Sequence, residues 1–370
     1  MTQSMVPHQT LINTVESALK HGAAADRAEA LRYVSDLFAF GTDRFTDVQI
    51  GEFDDIFTRL VEHVEISARV LLATRLAPLA KAPPTILRTL AFDDVIDVAG
   101  PVLTESPRLD NALLVENAKT KSQQHLLAIS RRTSLDEAVT DVLLERGDSH
   151  VVRSAAANPG AKFSERGFAR LIEHSDGDDE LALCVGARRD VPRHHFLKLL
   201  AKASQTVRLK LEAEDQLNSK EIHRAVAAVA GHVQTKSAAA SRNYAAARSL
   251  VSGLGASKQL GESQVEGFAK AHQFEETTVA LALLCDLPVE AVERAMIQDR
   301  SETILIMARA AGLSWPAAKA VLLLRAGDRG LAIHELEQCL ASYARLKLKT
   351  AQEIVRFQRK RWAEAARHLH

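Results

Sequence analysis

Residues 186–200, GARRDVPRHHFLKLL, gather arginines, an aspartate and two adjacent histidines into one short window. Such a set could serve an imidazole general base, a metal site or an anion clamp. The spacing argues against the first two. Neighbouring residues on a helix point about 100° apart, whereas two histidines that share a metal from one helix stand four apart on a common face. Four residues beyond His194 and His195 come Lys198 and Leu199, which complete no zinc or iron site. The pair therefore reads as scaffold, with Arg188, Arg189 and Asp190 in a turn between helices and the aspartate capping the next helix. The acidic runs Asp93-Asp94 and Asp178-Asp179-Glu180 offer paired carboxylates for acid–base work or a cation. No calcium-loop pattern surrounds them, and both fall at turns where acids favour helix N-termini. Cys184, Cys285 and Cys339 lie too far apart for a CxxC or Cys/His ligand set and read as buried free thiols in a reducing compartment. GLGASKQLG from Gly253 matches neither the dinucleotide nor the Walker pattern, and no serine sits in GxSxG. The expectation is no catalytic residue, no cofactor and no metal.

The strongest polar feature is the C-terminal segment KLKTAQEIVRFQRKRWAEAARHLH. There Ile354, Phe357, Trp362, Ala365 and Leu369 share one broad arc, and Arg356, Lys360 and Arg367 take the other side. It reads either as a docked last helix with a solvated charged face or as a helix that recognises a partner or a membrane surface. The residues assigned to partner binding are Arg188, Arg189, His194, Arg356, Lys360 and Arg367.

These side chains need elements to hold them, and composition says which. A chain of 370 residues is long enough for two units or one elongated array. Its 46% apolar and 25% charged residues exclude wholesale disorder, and the 5% aromatic share favours closely packed helices over aromatic-rich strands. A formal net charge of +0 weighs against a general binder of nucleic acid or anionic membrane, which needs a basic excess. The N-terminus lacks a signal-peptide pattern and no segment has the uncharged apolar length to span a bilayer, so a cytoplasmic location is expected.

Three blocks align without gaps at a spacing of 28, opening at Ala128, Ala156 and Cys184. A turn-tolerant Ser130, Asn158 or Gly186 follows two places on, and an apolar doublet recurs as Leu143-Leu144, Leu171-Ile172 and Leu199-Leu200. Leu135, Ala138, Val139, Val142 and Leu143 make one helical stripe, with Ser134 and Glu137 as a capping box before it. Each block reads as two short helices joined by a turn. Such a pair cannot bury its apolar face alone and must stack on its neighbours. In this register His195 replaces Val139 and Gly167 on the inward row, and His194 replaces Ala138 and Arg166. Upstream, Pro78, Pro83, Pro84, Pro101 and Pro107 punctuate short helices of the same rhythm.

The segments DVIDVAGPVLTESPRL, SQQHLLAISRR, LLERGDSHVVRSAAANPGAKFSERGF, GARRDVPRHHFLKLL, LLCDLPVEAVERAM and AAGLSWPAAKAVLLL together resemble an uncharacterised bacterial family of helical proteins, a domain of unknown function, over residues 65–365. The resemblance implies an all-helical fold whose first half is similar to HEAT-type repeats, and it transfers no catalytic residue. The organisation expected is a helical N-terminal cap over 1–60, HEAT-like α-solenoid repeats over 61–215, an Ala-rich long helix or hairpin over 216–258 and a smaller helical domain over 259–370. The leading functional expectation is a non-enzymatic scaffold or regulatory adaptor with protein partners. A homodimer contact through the Ala-rich helix is one use of that segment, and integral membrane association is excluded. The alternatives are a nucleic-acid-binding or base-modifying protein, with Arg131, Arg132, Arg153, Arg188 and Arg189 converging on one face, and a small-molecule sensor holding its ligand between two halves.

Overall fold

The computed structural model describes residues 23–42, 44–214, 218–298, 300–327 and 330–367. They form helices throughout, with a single parallel bridge, between Leu135 and Ala161, as the β-type pairing among the described residues. The chain divides into two compact units, Met1–Arg188 and Arg189–His370.

The first unit contains α1 (Ala24–Gly41), α2 (Asp47–Val61), α3 (Ile66–Leu76), α4 (Pro84–Ala91), α5 (Ile96–Glu105), α6 (Asn111–Thr120), α7 (Gln123–Ser130), α8 (Glu137–Arg146), α9 (Ser149–Ala157), α10 (Glu165–His174) and α11 (Asp179–Ala187). Its helices pack on the next but one: α1 on α3, α3 on α5, α5 on α7, α7 on α9 and α9 on α11, with α2 on α4, α6 on α8 and α8 on α10 in a second row. Val98, Val102, Leu126, Ile129, Val139, Leu143, Val151, Leu171 and Val185 are buried between the rows. Local signals start several of these helices. Asp110, Asp148, Ser164 and Asp178 each accept the backbone N–H three residues on. Before α10, Phe163 packs on Phe168 across the Ser164 cap, with ring centroids 5.6 Å apart, a hydrophobic staple.

Helices this short leave many carbonyls unsatisfied at their C-termini. Side chains from about one repeat downstream satisfy them. Arg132 Nη1 and Nη2 donate to Leu103 O (2.6 Å) and Ser106 O (2.7 Å) at the end of α5. Asn158 Nδ2 donates to Ser130 O (2.9 Å) and Arg132 O (2.6 Å) after α7. Arg188 donates to Ala156 O (3.0 Å), Asn158 O (2.7 Å) and Ala161 O (2.7 Å) after α9. In the second row Asn117 donates to Ala91 O, Arg146 to Ala118 O, and the His174 ring stands 3.2 Å from Leu144 O. The Asn158-Pro159-Gly160 loop is held from both sides. Leu135 N–H donates to Gly160 O (3.1 Å) and Lys162 N–H to Leu135 O (2.9 Å). A Cβ on Gly160 would lie 1.9 Å from Thr133 O, so the close approach requires glycine.

That bridge changes the expected start of α8. Its N-cap is Asp136, Leu135 stays outside the helix, and Ser134 and Glu137 form no capping box. Leu135, Val139, Val142 and Leu143 are buried as the stripe predicts, but Ala138 is exposed. Pro101 does not punctuate; it lies inside α5. The 28-residue spacing holds for the starts of α8, α10 and the next helix, at Glu137, Glu165 and Arg193, but the third block is not a pair of short helices. Its second helix runs on for 22 residues.

The second unit contains α12 (Arg193–Glu214), α13 (Ser219–Ala240), α14 (Arg242–Ala256), α15 (Glu262–Lys270), α16 (Phe274–Cys285), α17 (Val289–Ile297), α18 (Glu302–Ala310), α19 (Trp315–Ala326), α20 (Ile333–Arg345) and α21 (Leu348–Arg367). The Ala-rich stretch is two helices broken at Ser241, and Gly253 and Gly255 lie within α14 rather than ending it. α16 is the central helix, buried continuously from Thr277 to Ala282. Its threonine hydroxyls donate back to Gln273 O and Phe274 O, both at 2.7 Å, which removes the cost of burying them. Around it α14 packs on α16, α15 on α19 and α18 on α21.

Replacing Arg188 with Met strands three carbonyls. It is expected to lower the urea-unfolding free energy by about 2–4 kcal/mol, whereas Met at exposed Arg189 changes it by less than about 0.5 kcal/mol. Gly160→Ala, which forces a methyl against backbone, is expected to cost more than about 2 kcal/mol by the same assay.

Candidate functional site

The first turn of α12 places Arg193, His194 and His195 beside α13, α14 and α17, and a dense polar cluster forms there. Arg193 is buried, and so is its partner Glu293. Nε and Nη2 of Arg193 donate to the two Glu293 carboxylate oxygens at 2.8 and 3.0 Å, a bidentate pair. Nη1 donates to Ser237 Oγ (2.5 Å) and Nη2 also to Gln234 O (3.0 Å). Gln234 Nε2 donates to Glu293 Oε2 at 2.7 Å, and Arg294 Nε to Gln234 Oε1 at 3.4 Å. The Arg193 guanidinium lies 5.8 Å from the rings of both Phe196 and Tyr244. Burial pushes the Tyr244 phenol well above its ordinary range, and the charges of Glu293 and Glu290 add to the shift. Arg193 and Glu293 are each other's partners, so the pair clamps α12 to α17.

The histidines stand at the edge of that cluster. His195 is buried, in keeping with its inward register, and His194 is half-buried with its ring 4.1 Å from His195 and 5.4 Å from Phe274. Nearby, burial raises the Glu275 carboxyl above its usual value and the charges of His194 and Arg193 draw it back down.

The other expected residues are dispersed. Arg188 covers Phe163, its guanidinium 4.7 Å from the ring, while binding three carbonyls. Arg189 and Asp190 are exposed in a bend. Arg356 and Lys360 are exposed on α21; Arg367 belongs to that helix, but its side chain lies outside the described residues, as do Ala365 and Leu369. The apolar arc of α21 differs from the expected one. Among its described side chains Ala351 and Val355 are the buried ones, Trp362 receives the Arg294 guanidinium 4.6 Å from its ring, and Phe357 is 62% exposed. The helix is docked: it packs on α18, Arg359 pairs with Asp286, and Arg309 Nε donates to Leu346 O at 2.9 Å.

The acidic runs serve helix starts and ion pairs. Asp178 caps α11 and pairs with Arg153 (2.8 Å), which also holds Glu180 (2.7 Å). The Arg153 bond and the Leu181 N–H hold the Asp178 carboxyl below its usual range. Asp93 pairs with Arg69 and accepts Val95 N–H (2.9 Å). Asp94 reaches Lys121 at 2.6 Å, and that bond lowers its pKa. Of the five arginines that could converge on a phosphate track, Arg132, Arg153 and Arg188 are therefore occupied by the protein itself.

Two depressions lie elsewhere on the described surface. One, of about 180 Å³, is lined by Cys285, Asp286, Gln352, Arg356 and Arg359. The Cys285 thiol there donates to Met307 O at 3.3 Å, and burial pushes its pKa up to about 12, which makes it a poor nucleophile. The other, of about 310 Å³, lies between α4 and α6, lined by Leu87, Arg88, Arg108, Leu109, Asp110 and Leu113. Arg88 is held there by Glu116 at 2.7 Å.

A helical unit of alternately packed short helices, joined in one chain to a second helical unit, is the class of protein these residues define. The chain belongs to the bacterial family described as "Uncharacterised protein conserved in bacteria (DUF2336)", whose profile matches residues 98–356. No curated protein and no solved structure matches it.

Removing one partner of the buried ion pair leaves an uncompensated charge. Glu293→Gln and Arg193→Met are each expected to destabilise by about 3–5 kcal/mol, and the double variant by less than their sum, read from denaturant curves in a double-mutant cycle. Tyr244 and Tyr343, both raised by burial, keep their protons above the ordinary phenol range. Because the folded state holds those protons more tightly, stability is full below about pH 10 and falls as pH rises further. Phenolate absorbance at alkaline pH is expected to show these two tyrosines ionising only as the chain unfolds.

Proposed function

We propose that the protein is a non-enzymatic, cytoplasmic scaffold or adaptor whose first unit is a HEAT-like α-solenoid presenting a surface to other proteins. The next-but-one packing of α3 to α11, with side-chain donors passed from each repeat to the one before, is the observation that carries this reading. Arrays of this kind offer extended surfaces on one row of helices. The α4–α6 depression supplies such a surface: Leu87, Leu109 and Leu113 floor it, and Arg88, Arg108 and Asp110 rim it. A segment with an apolar anchor between charged residues suits that chemistry, because apolar contacts anchor and rim charges orient. No helix among the described residues is long and apolar enough to cross a membrane, which agrees with a role outside the bilayer. The occupied arginines favour this reading over nucleic-acid binding, for which free cations facing one way are needed.

The test is native capture of partners by the full chain, with cross-linking and identification, beside a Leu113→Asp/Arg108→Glu variant. Retention of a protein by the parent and its loss from the folded variant is expected. Salt-sensitive binding to duplex DNA by the parent, equal in the variant, would replace this reading with the nucleic-acid one.

A further inference from the structure

The arms of the α12–α13 hairpin bury nothing: from Leu200 to Val233 no described side chain is buried. Val207 is 48% exposed, Leu211 41% and Val229 65%. Two polar pairs fix how the arms lie side by side. The Arg208 Nη1 atom stands 3.3 Å from His223 Nδ1, and Ser219 Oγ donates to Glu212 Oε1 at 3.0 Å. Both pairs share the same sum of residue numbers, 431, so residue n of α12 stands beside residue 431 − n of α13.

Each arm carries an aliphatic stripe, and that of α13 reads the same in both directions. On α13 it is Ile222, Val226, Val229 and Val233, with spacings 4-3-4 centred between Ala227 and Ala228. On α12 it is Leu200, Val207 and Leu211, with Leu200 and Val207 centred between Ala203 and Ser204; Phe196, one turn before Leu200, is half-buried against the core of the second unit. The register fixed by the polar pairs sets those two centres side by side, since 203.5 and 227.5 also total 431. A two-fold axis through that point would lay a second hairpin antiparallel on the first. It would match Ile222 with Val233, Val226 with Val229 and Leu200 with Val207. Small residues sit at the centre, where helices approach most closely. The same operation sets Lys202 against Gln205, Arg224 against Gly231 and Lys210 against Leu197, so no two fixed like charges oppose each other.

We propose that this face is the contact for a second copy of the chain, making a two-fold antiparallel four-helix bundle from two hairpins. Self-complementarity about one axis is what an isologous contact requires, and an unrelated partner gives no reason for two stripes to share a centre. Arms of about 14 residues make a face about 20 Å long and about 20 Å wide, so two faces bury roughly 800 Å² in total, the size of a weak, reversible association. Covering the stripes also gives the arms the packing that an isolated helical pair lacks. The proposal is independent of the role given to the first unit.

Sedimentation of the full-length chain over a concentration series tests it. A monomer–dimer equilibrium in about the micromolar range is expected. Val207→Lys and Val229→Lys, at exposed positions, are expected to weaken it at least tenfold with unchanged helical circular dichroism. Leu209→Lys, 54% exposed and about 200° around the helix from Val207, should leave it intact. The double variant Ile222→Cys/Val233→Cys, whose two positions face each other across the axis, should form a disulfide-linked dimer under oxidation, against a background set by the parent chain, and Leu209→Cys should not. A chain that stays monomeric throughout, leaving the face to a different protein or to lipid, overturns the proposal. So does a dimer indifferent to Val229→Lys.

Discussion

A helix of eight residues such as α7 has as many unsatisfied terminal carbonyls as one of 22 residues such as α12, but they are half of its peptide groups. An array of short helices is therefore stable only where donors arrive from elsewhere, and in the first unit they arrive from about one repeat downstream. Arg132, Asn158 and Arg188 repeat the device at the ends of α5, α7 and α9 with different side chains, so the position is kept while the chemistry varies. Each of these bonds also joins helices that pack on each other, so the interactions that complete one helix fasten it to the next but one. Cations spent in this way are unavailable to a phosphate or a substrate.

The second unit meets a different demand. Its helices are longer and its core is continuous around α16, so helix ends weigh less and relative placement weighs more. Arg193 and Glu293 are 100 residues apart in sequence and both buried, and the pair binds α12 to α17 while Ser237 and Gln234 bring in α13. Desolvating two charges offsets much of their attraction, so such a pair contributes little net stability beside an apolar equivalent. What it supplies is a penalty for any other arrangement, since a slipped helix would leave a bare charge in the core. The base of the hairpin is fixed by that penalty while its arms, beyond Leu200 and Val233, are held by surface polar contacts.

Patterns that act over a few residues were legible in the sequence; those that act across the fold were not. The all-helical class, the 28-residue recurrence, the buried doublets Leu143-Leu144 and Leu171-Ile172 and the inward place of His195 follow from periodicity alone. The Ser134–Glu137 box failed because Leu135 is drawn into a backbone pairing with the loop of the next repeat, a tertiary bond that outweighs a local cap. Phe357 was placed inward by its arc, yet the docking face of α21 is turned so that Ala351 and Val355 meet α18. The carbonyl donors left only faint signs: Asn158 reads as a turn residue, and Arg132 and Arg188 are two repeats of 28 apart with a glycine between them. Nothing local marks Glu293, because a partner 100 residues away has no periodic relation to Arg193.

Perturbed ionisation usually points to a catalytic cleft, so its cause here bears on function. For Cys285, Tyr244, Tyr343 and Glu275 the first cause is burial, and in each it favours the neutral form. A nucleophile or general base needs the reverse, a charged form made accessible by a neighbour of opposite sign. Where opposite charges do meet, at Asp178 with Arg153 and Asp94 with Lys121, the carboxylates are fixed below the range in which they could exchange protons near neutrality. The reactive side chains are thus directed at the protein's own backbone and counter-charges, while aliphatic ones such as Val207 and Val229 face outward.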